Sequence, residues 1–230
     1  MKRARVLAGV LSLFVFHSAA EAAVMLGQLQ TFDDPHGWVV GAGPVLQNPT
    51  SVPVLLGGPG GPTDPYLSIV SSGVAGPGSR LSAQNFNEWS GDYLGAGVDR
   101  IEMSVRNFGN TDVHLRLLFL ELAPFPVNLA FSTDAIIVPA GSDWTSIQFN
   151  VTPGALTSPL GSAAGALSNA SELRIFHNPA PFFIDGQMPA IAANVGVDNI
   201  RALAPEPATL WLFGAAALVG IRRRWPARHR

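Results

Sequence analysis

Three aspartates offer the first chemistry in this chain. Asp33 and Asp34 stand side by side before Pro35, and Asp198 lies in the last apolar run of the central region. Carboxylates and carbonyls are the hard oxygen donors that Ca²⁺ takes, and the first and last strands of a β-domain often pair, which would bring these aspartates together. The competing reading is local: an Asx-turn for Asp33-Asp34 ahead of the proline, and an N-cap or loop aspartate at Asp198. Zinc would need His or Cys at ligand spacing, but the chain has no cysteine and His36, His114 and His177 are scattered singly. Each reads as a strand or loop histidine.

Hydrolytic chemistry finds little to build on. No Gly-x-Ser-x-Gly occurs, so there is no nucleophile elbow. Glu88, Asp92, Glu102 and Glu121 could in principle serve a glycosidase, yet nothing marks any two of them as a pair rather than as solvated face residues. The glycine run Gly57 to Gly61 is interrupted by proline and followed by no helix, so it does not read as a phosphate loop. Aromatic rings are the other route to a sugar, by stacking on an exposed face. The candidates are Trp38, Trp89, Trp144 and Tyr93. In a sandwich, Trp38 and Trp144 read as core, filling space between sheets. Trp89 and Tyr93 lie in a polar, glycine-containing stretch and read as the exposed platform.

The elements that must position these groups are short. Gln28 to Phe32, Trp38 to Val40, Tyr66 to Val70, Ile101 to Arg106, Val113 to Glu121, Ala135 to Val138, Trp144 to Val151, Glu172 to His177 and Val195 to Leu203 read as strands, divided by Gly/Pro/Asn/Asp clusters. Val105 to Phe119 reads as a hairpin turning through Asn107 to Asp112. In its second arm Val113, Leu115, Leu117 and Phe119 share one face, and His114, Arg116, Leu118 and Leu120 the other. The expected helices are few: Thr157 to Ala170, and a short one at Asn85 to Trp89. About nine strands without a βαβ rhythm predict an all-β, two-sheet antiparallel β-sandwich, a jelly roll.

Composition divides the chain into three parts. Of 230 residues, 47% are hydrophobic and only 13% charged, and glycine (24) and proline (19) are frequent, which disfavours long helical bundles. Eight of the fourteen basic residues stand at the two ends. Lys2, Arg3 and Arg5 precede the apolar run Val6 to Phe16 and the small-residue patch His17 to Ala23, the layout of a secretory signal peptide over residues 1–22. Between residues 23 and 204, fourteen acidic residues face six arginines and no lysine, a net of −8. Such a surface repels phosphate backbones, which argues against nucleic acid, and suits neutral glycans or divalent cations. An exported domain without cysteine must be held by packing or bound ions.

At the far end, Pro205-Glu206-Pro207 is followed by an apolar stretch containing Gly214 and Gly220, then Arg222-Arg223-Arg224. The fourteen residues 208–221 would span about 21 Å as a helix, short of a hydrocarbon core of roughly 30 Å. The arginines after it predict a cytoplasmic C-terminus with the bulk of the chain outside. The triplet, the short glycine-containing helix and the arginine cluster resemble the PEP-CTERM sorting signal of Gram-negative bacteria that make exopolysaccharide. That resemblance implies processing near Pro205-Glu206-Pro207 by an exosortase, and transient anchoring in the inner membrane.

The central domain carries a fainter likeness. Thr31-Phe32-Asp33-Asp34 with Gly37-Trp38, and Gly196-Val197-Asp198-Asn199-Ile200 at the far end, resemble the first and last strands of galactose-binding-like jelly rolls and many carbohydrate-binding modules. The middle, Ser79 to Ala83 through Gly91-Asp92-Tyr93 to Val98, is similar to the laminin-B class of extracellular sandwich. The first likeness implies a structural Ca²⁺ held by Asp33 or Asp34 together with Asp198. The expectation is therefore an exported, surface-sorted, non-enzymatic protein of the extracellular polysaccharide or biofilm matrix. The alternatives are a glycan-active hydrolase and a purely structural adhesin.

Overall fold

The computed structural model describes residues 23–41, 50–76, 78–122, 125–180 and 188–205. The signal-peptide segment 1–22 and, of the sorting motif, Glu206, Pro207 and Arg222 to Arg224 lie outside the described residues.

Two antiparallel sheets face each other. The smaller is built from β1 (Leu29–Gln30), β4 (Val54–Leu56), β5 (Pro65–Ser72), β7 (Arg100–Asn107), β11 (Thr145–Asn150) and β14 (Ala192–Leu203). Its order is β11-β7-β14-β5-β4, with β1 beside β14. The larger holds β2 (Trp38–Val40), β3 (Thr50–Ser51), β6 (Ser82–Asn85), β8 (Val113–Leu122), β9 (Pro126–Ser132), β10 (Ile136–Val138), β12 (Leu156–Leu160) and β13 (Glu172–His177). They run β12-β9-β8-β13-β6-β2-β3, with β10 beside β8. First and last strands do pair, Leu29 opposite Arg201 and Gln30 opposite Ile200.

Alternation decides the faces. Val113, Leu115, Leu117 and Phe119 of β8 point inward against Ile101, Met103 and Val105 of β7 and Val195 and Val197 of β14, all buried in one core. The other face of β8 is also apolar. Leu118 and Leu120 join Phe131, Phe176 and Met188 in a second, smaller cluster outside the larger sheet. There Glu172 and Arg174 meet at 2.6 Å and are buried. Burial raises the Glu172 carboxyl, while Arg174 draws it back down.

Three sequence expectations are corrected. The Val105 to Phe119 segment is no hairpin: β7 pairs with β11 and β14, whereas β8 pairs with β9, β10 and β13, so the turn carries the chain from one sheet to the other. Both arms alternate, and alternation does not say which sheet receives each. The expected helix from Thr157 to Ala170 shrinks to α1 (Ala163–Ser168), capped by Ser162, whose hydroxyl accepts from the Gly165 N–H at 3.0 Å. The preceding residues form β12 instead. No helix stands at Asn85 to Trp89; the Asn85 side chain accepts from the Asn87 and Trp89 amides and bends the chain there.

Candidate functional site

Asp198 lies on β14 and is 1% exposed. Its Oδ2 accepts from the Asn199 amide at 3.1 Å, and its Oδ1 has no partner among the described residues. Burial is the main reason its carboxyl is pushed up to about 7, and the charges of Asp64 and Asp33 add to it. The charge of Asp33 reaches Asp198; Asp34 lines a separate cleft beside Thr31 and Glu88. Asp64 went unnoticed because it follows the Gly/Pro-rich loop, where it accepts from the Gly60 N–H at 2.6 Å and reads as turn chemistry.

Strain collects around this group. Phe32, buried and bulky, holds φ 61°, and Asn199 holds φ 51° at a bulge between Asp198 and Arg201. Residues held in this region cost about 1–3 kcal/mol each and cluster where a site is shaped. The donors have the hardness a Ca²⁺ needs. Among the described residues, however, no three His, Cys, Asp or Glu side chains converge closely enough to hold a metal ion. A cation here would therefore need backbone oxygens or water to complete its shell.

Trp89 and Tyr93 are not a platform. Both are fully buried. The Tyr93 hydroxyl donates to the Trp89 carbonyl at 2.7 Å, and its ring packs edge-on against Phe119 at 5.0 Å. The Trp89 and Trp38 indoles both donate to Gln30 Oε1, each at 2.7 Å. The surrounding stretch looked polar because Asn85, Ser90 and Asp92 are there, yet these side chains serve the loop's own backbone while the two rings plug the end of the sandwich.

The accessible aromatic surface lies elsewhere, on the outer face of the smaller sheet. Gly196 of β14 stands between Ser68 of β5 and Arg106 of β7. Over it pack Tyr66, Phe108 and Trp144: Tyr66 and Phe108 stack at 5.5 Å, and Trp144 meets both edge-on at 5.3 and 6.1 Å. A side chain at position 196 would occupy the same space, since even a Cβ would stand 2.6 Å from Trp144 Cη2. Tyr66 is buried, Trp144 half-buried and Phe108 38% exposed. The Trp144 indole N–H donates to the Gly57 carbonyl at 3.1 Å, which fixes the ring and the glycine-rich loop to one another. Arg106 lies over the Phe108 ring at 4.7 Å and reaches Asp143 at 3.5 Å. Ser146 and Gln148 of β11 continue this face and are exposed. Trp38, by contrast, is core as expected.

The remaining groups stay apart. Glu102 accepts from Ser146 on the smaller sheet and Glu121 from Asn128 on the larger, so they do not form a catalytic pair. Glu88 accepts from Asn85, and Asp92 accepts from the Gly95 N–H. Of the histidines, His114 and His177 approach, with ring centroids 5.9 Å apart, while the His36 Nδ1 accepts from the Trp38 N–H.

Comparison with known proteins bears on both ends of this description. Residues 203–224 match the PEP-CTERM protein-sorting motif. No curated protein matches the chain. Among solved structures, an agarase aligns with TM-score 0.51 and 12% identity over 78% of this chain and 25% of its own. An exo-β-agarase gives 0.50 and 14% over 79% and 25%. The family 11 carbohydrate-binding module of a cellulosomal cellulase of Clostridium thermocellum gives 0.48 and 11% over 79% and 96%. At such identities the likeness is one of fold. The chain thus carries a PEP-CTERM protein-sorting motif at residues 203–224, behind a two-sheet β-sandwich whose fold recurs within agarases.

Proposed function

We propose that this is an exported, non-enzymatic glycan-binding protein that works in or on the extracellular polysaccharide or biofilm matrix of a Gram-negative bacterium. It is sorted through its PEP-CTERM motif, processed by an exosortase at Pro205-Glu206-Pro207, and held transiently in the inner membrane by residues 208–221. The observation that carries the binding reading is the aromatic surface over Gly196. Phe108 and Trp144 offer ring area at the surface, and Arg106, Asp143, Ser146 and Gln148 beside them supply donors and acceptors for sugar hydroxyls. A pyranose presents one apolar C–H face and an equatorial rim of hydroxyls, which this combination complements. The separation of Glu102 from Glu121 on opposite sheets supports a binding role over hydrolysis.

A structural Ca²⁺ at Asp198 and Asp33, joined by Asp64, belongs to the same proposal. It would neutralise carboxylates that otherwise repel one another, and would anchor the first strand to the last. A glycan array probed with the exported protein, with and without EDTA, tests the reading. Retention of neutral polysaccharides is expected, and no retention of any glycan would refute it.

A further inference from the structure

The end of the sandwich from which the sorting motif leaves has a surface that the glycan reading does not use. Strand β14 runs without a linker into the motif: the Leu203 carbonyl accepts from the Asp99 N–H at 3.0 Å, and the Ala204 carbonyl accepts from the Arg100 guanidinium. The turn before β1 is tied to the same place, for the Gly27 N–H donates to the Ala202 carbonyl at 2.9 Å and the Ala202 N–H to Gln28 at 3.0 Å. That turn presents Met25 at 66% and Leu26 at 51% exposure, with Leu29 at 46% beside them. Met25 and Leu29 also line a cleft of about 570 Å³ together with Phe32, Asp34 and Glu88. These apolar side chains fill no core and sit next to the point where the chain departs.

The sequence beyond that point limits how far away a membrane can be. Only Ala204 to Pro207 separate Leu203 from the apolar run that begins at Ala208. At about 3.1 Å per residue for an extended, proline-rich segment, that places the run within about 15 Å of the domain. Fourteen residues taken as a membrane helix would span about 21 Å, less than a hydrocarbon core of roughly 30 Å, and a span that short would draw its flanks toward the interface.

We propose that the corner formed by Met25, Leu26 and Leu29 is the face this domain lays on the outer surface of the bilayer while the sorting segment is in place. The inference rests on reading residues 208–221 as membrane-inserted. It gives the domain a fixed orientation. Gly196 stands seven residues up β14 from Leu203, about 23 Å at strand rise, so Phe108 and Trp144 lie toward the end away from the lipid. That leaves the aromatic surface free to meet polysaccharide before processing.

The chain has no cysteine, so a single introduced thiol reports one place. Leu26→Cys marks the corner. Val74→Cys, 71% exposed in the turn after β5 at the opposite end of the sheet, is the control. The exported chain, prepared from a host without the processing enzyme so that the tail is retained, is labelled with an environment-sensitive fluorophore and reconstituted in phosphatidylcholine vesicles. The expected result is flotation with the vesicles, blue-shifted emission and loss of iodide quenching at position 26, and full quenching at position 74. Flotation with equal quenching at both positions would overturn the docking and leave the anchor standing. Failure to float would overturn the anchor, and the docking with it.

Discussion

Trp144 lies directly over Gly196, its Cη2 only 2.6 Å from where a Cβ on that residue would stand. The absence of a side chain at the centre of β14 is what lets three rings settle on the outer sheet face, since Phe108 and Tyr66 approach the same point to 3.0 Å. Replacing Gly196 with alanine must lift or splay the rings. The expected cost is about 1–3 kcal/mol, the range for overpacking a fitted site, with glycan retention reduced in parallel. Urea unfolding reads the first effect and affinity electrophoresis the second. A variant within about 0.5 kcal/mol of the parent, with retention intact, would show that the rings do not depend on this glycine.

Gln30 joins the first strand to the core by accepting from two buried indoles at once. Gln30→Leu keeps the volume and removes the acceptor, leaving the Trp38 and Trp89 N–H groups unsatisfied. Each buried donor so stranded costs about 1–3 kcal/mol, so a loss at the upper end of single substitutions is expected in chemical denaturation. A loss below about 0.5 kcal/mol would mean that water replaces the amide at both indoles.

The acidic group at Asp198 predicts a response to calcium. In EDTA at pH 8, Asp198→Asn should match or exceed the parent in melting temperature, because it removes a buried carboxylate crowded by Asp64 and Asp33. In millimolar calcium the parent should gain and the variant should not. An unchanged melting temperature for the parent between EDTA and calcium would remove the cation from this account.

His177 predicts a loss of stability in acid. Burial first, and the nearby His114 second, lower its pKa from 6.5 to about 4, and its Nδ1 accepts from the His114 N–H at 3.0 Å. The unfolded chain takes up a proton below about 6.5 while the native state does not until about 4, so this contribution is full above pH 6.5 and is lost as the pH falls toward 4. Asp198 acts in the opposite sense. Its native carboxyl, raised from 3.8 to about 7, keeps a proton the unfolded chain has released, so its contribution is present in acid and lost as the pH rises toward 7. The two offset one another, and His177→Asn, which retains an acceptor, separates them. As the pH falls from 6.5 to 4 the variant should gain stability relative to the parent; identical slopes would contradict the assignment.

Much of the fold was legible because its strands alternate. Leu115, Leu117 and Phe119 announce a core face, and all nine expected strands are present. β6 escaped notice because Ser82-Ala83-Gln84-Asn85 is polar, yet it lies between β13 and β2 with every residue buried. β9 begins at a proline and reads as a loop from sequence. The site was legible in part. The pairing of the first and last strands, which lets the charge of Asp33 reach Asp198, was legible, but Asp64 arrives through a loop whose path no local pattern encodes. Trp89 and Trp144 exchanged roles for the same reason: polarity of neighbouring residues reports the loop's own hydrogen bonds, and only the register of β11 against β7 places Trp144 outward.

The central claim is that the rings over Gly196 hold a glycan, and Trp144→Ala tests it most directly. Affinity electrophoresis of parent and variant through gels containing neutral β-glucan or agarose measures the binding. The parent should be retarded, and the variant, losing a half-buried aromatic anchor worth about 2 kcal/mol, should bind about 30-fold more weakly while migrating as a folded protein. Equal retardation of the two, or no retardation of the parent in any gel, would contradict it.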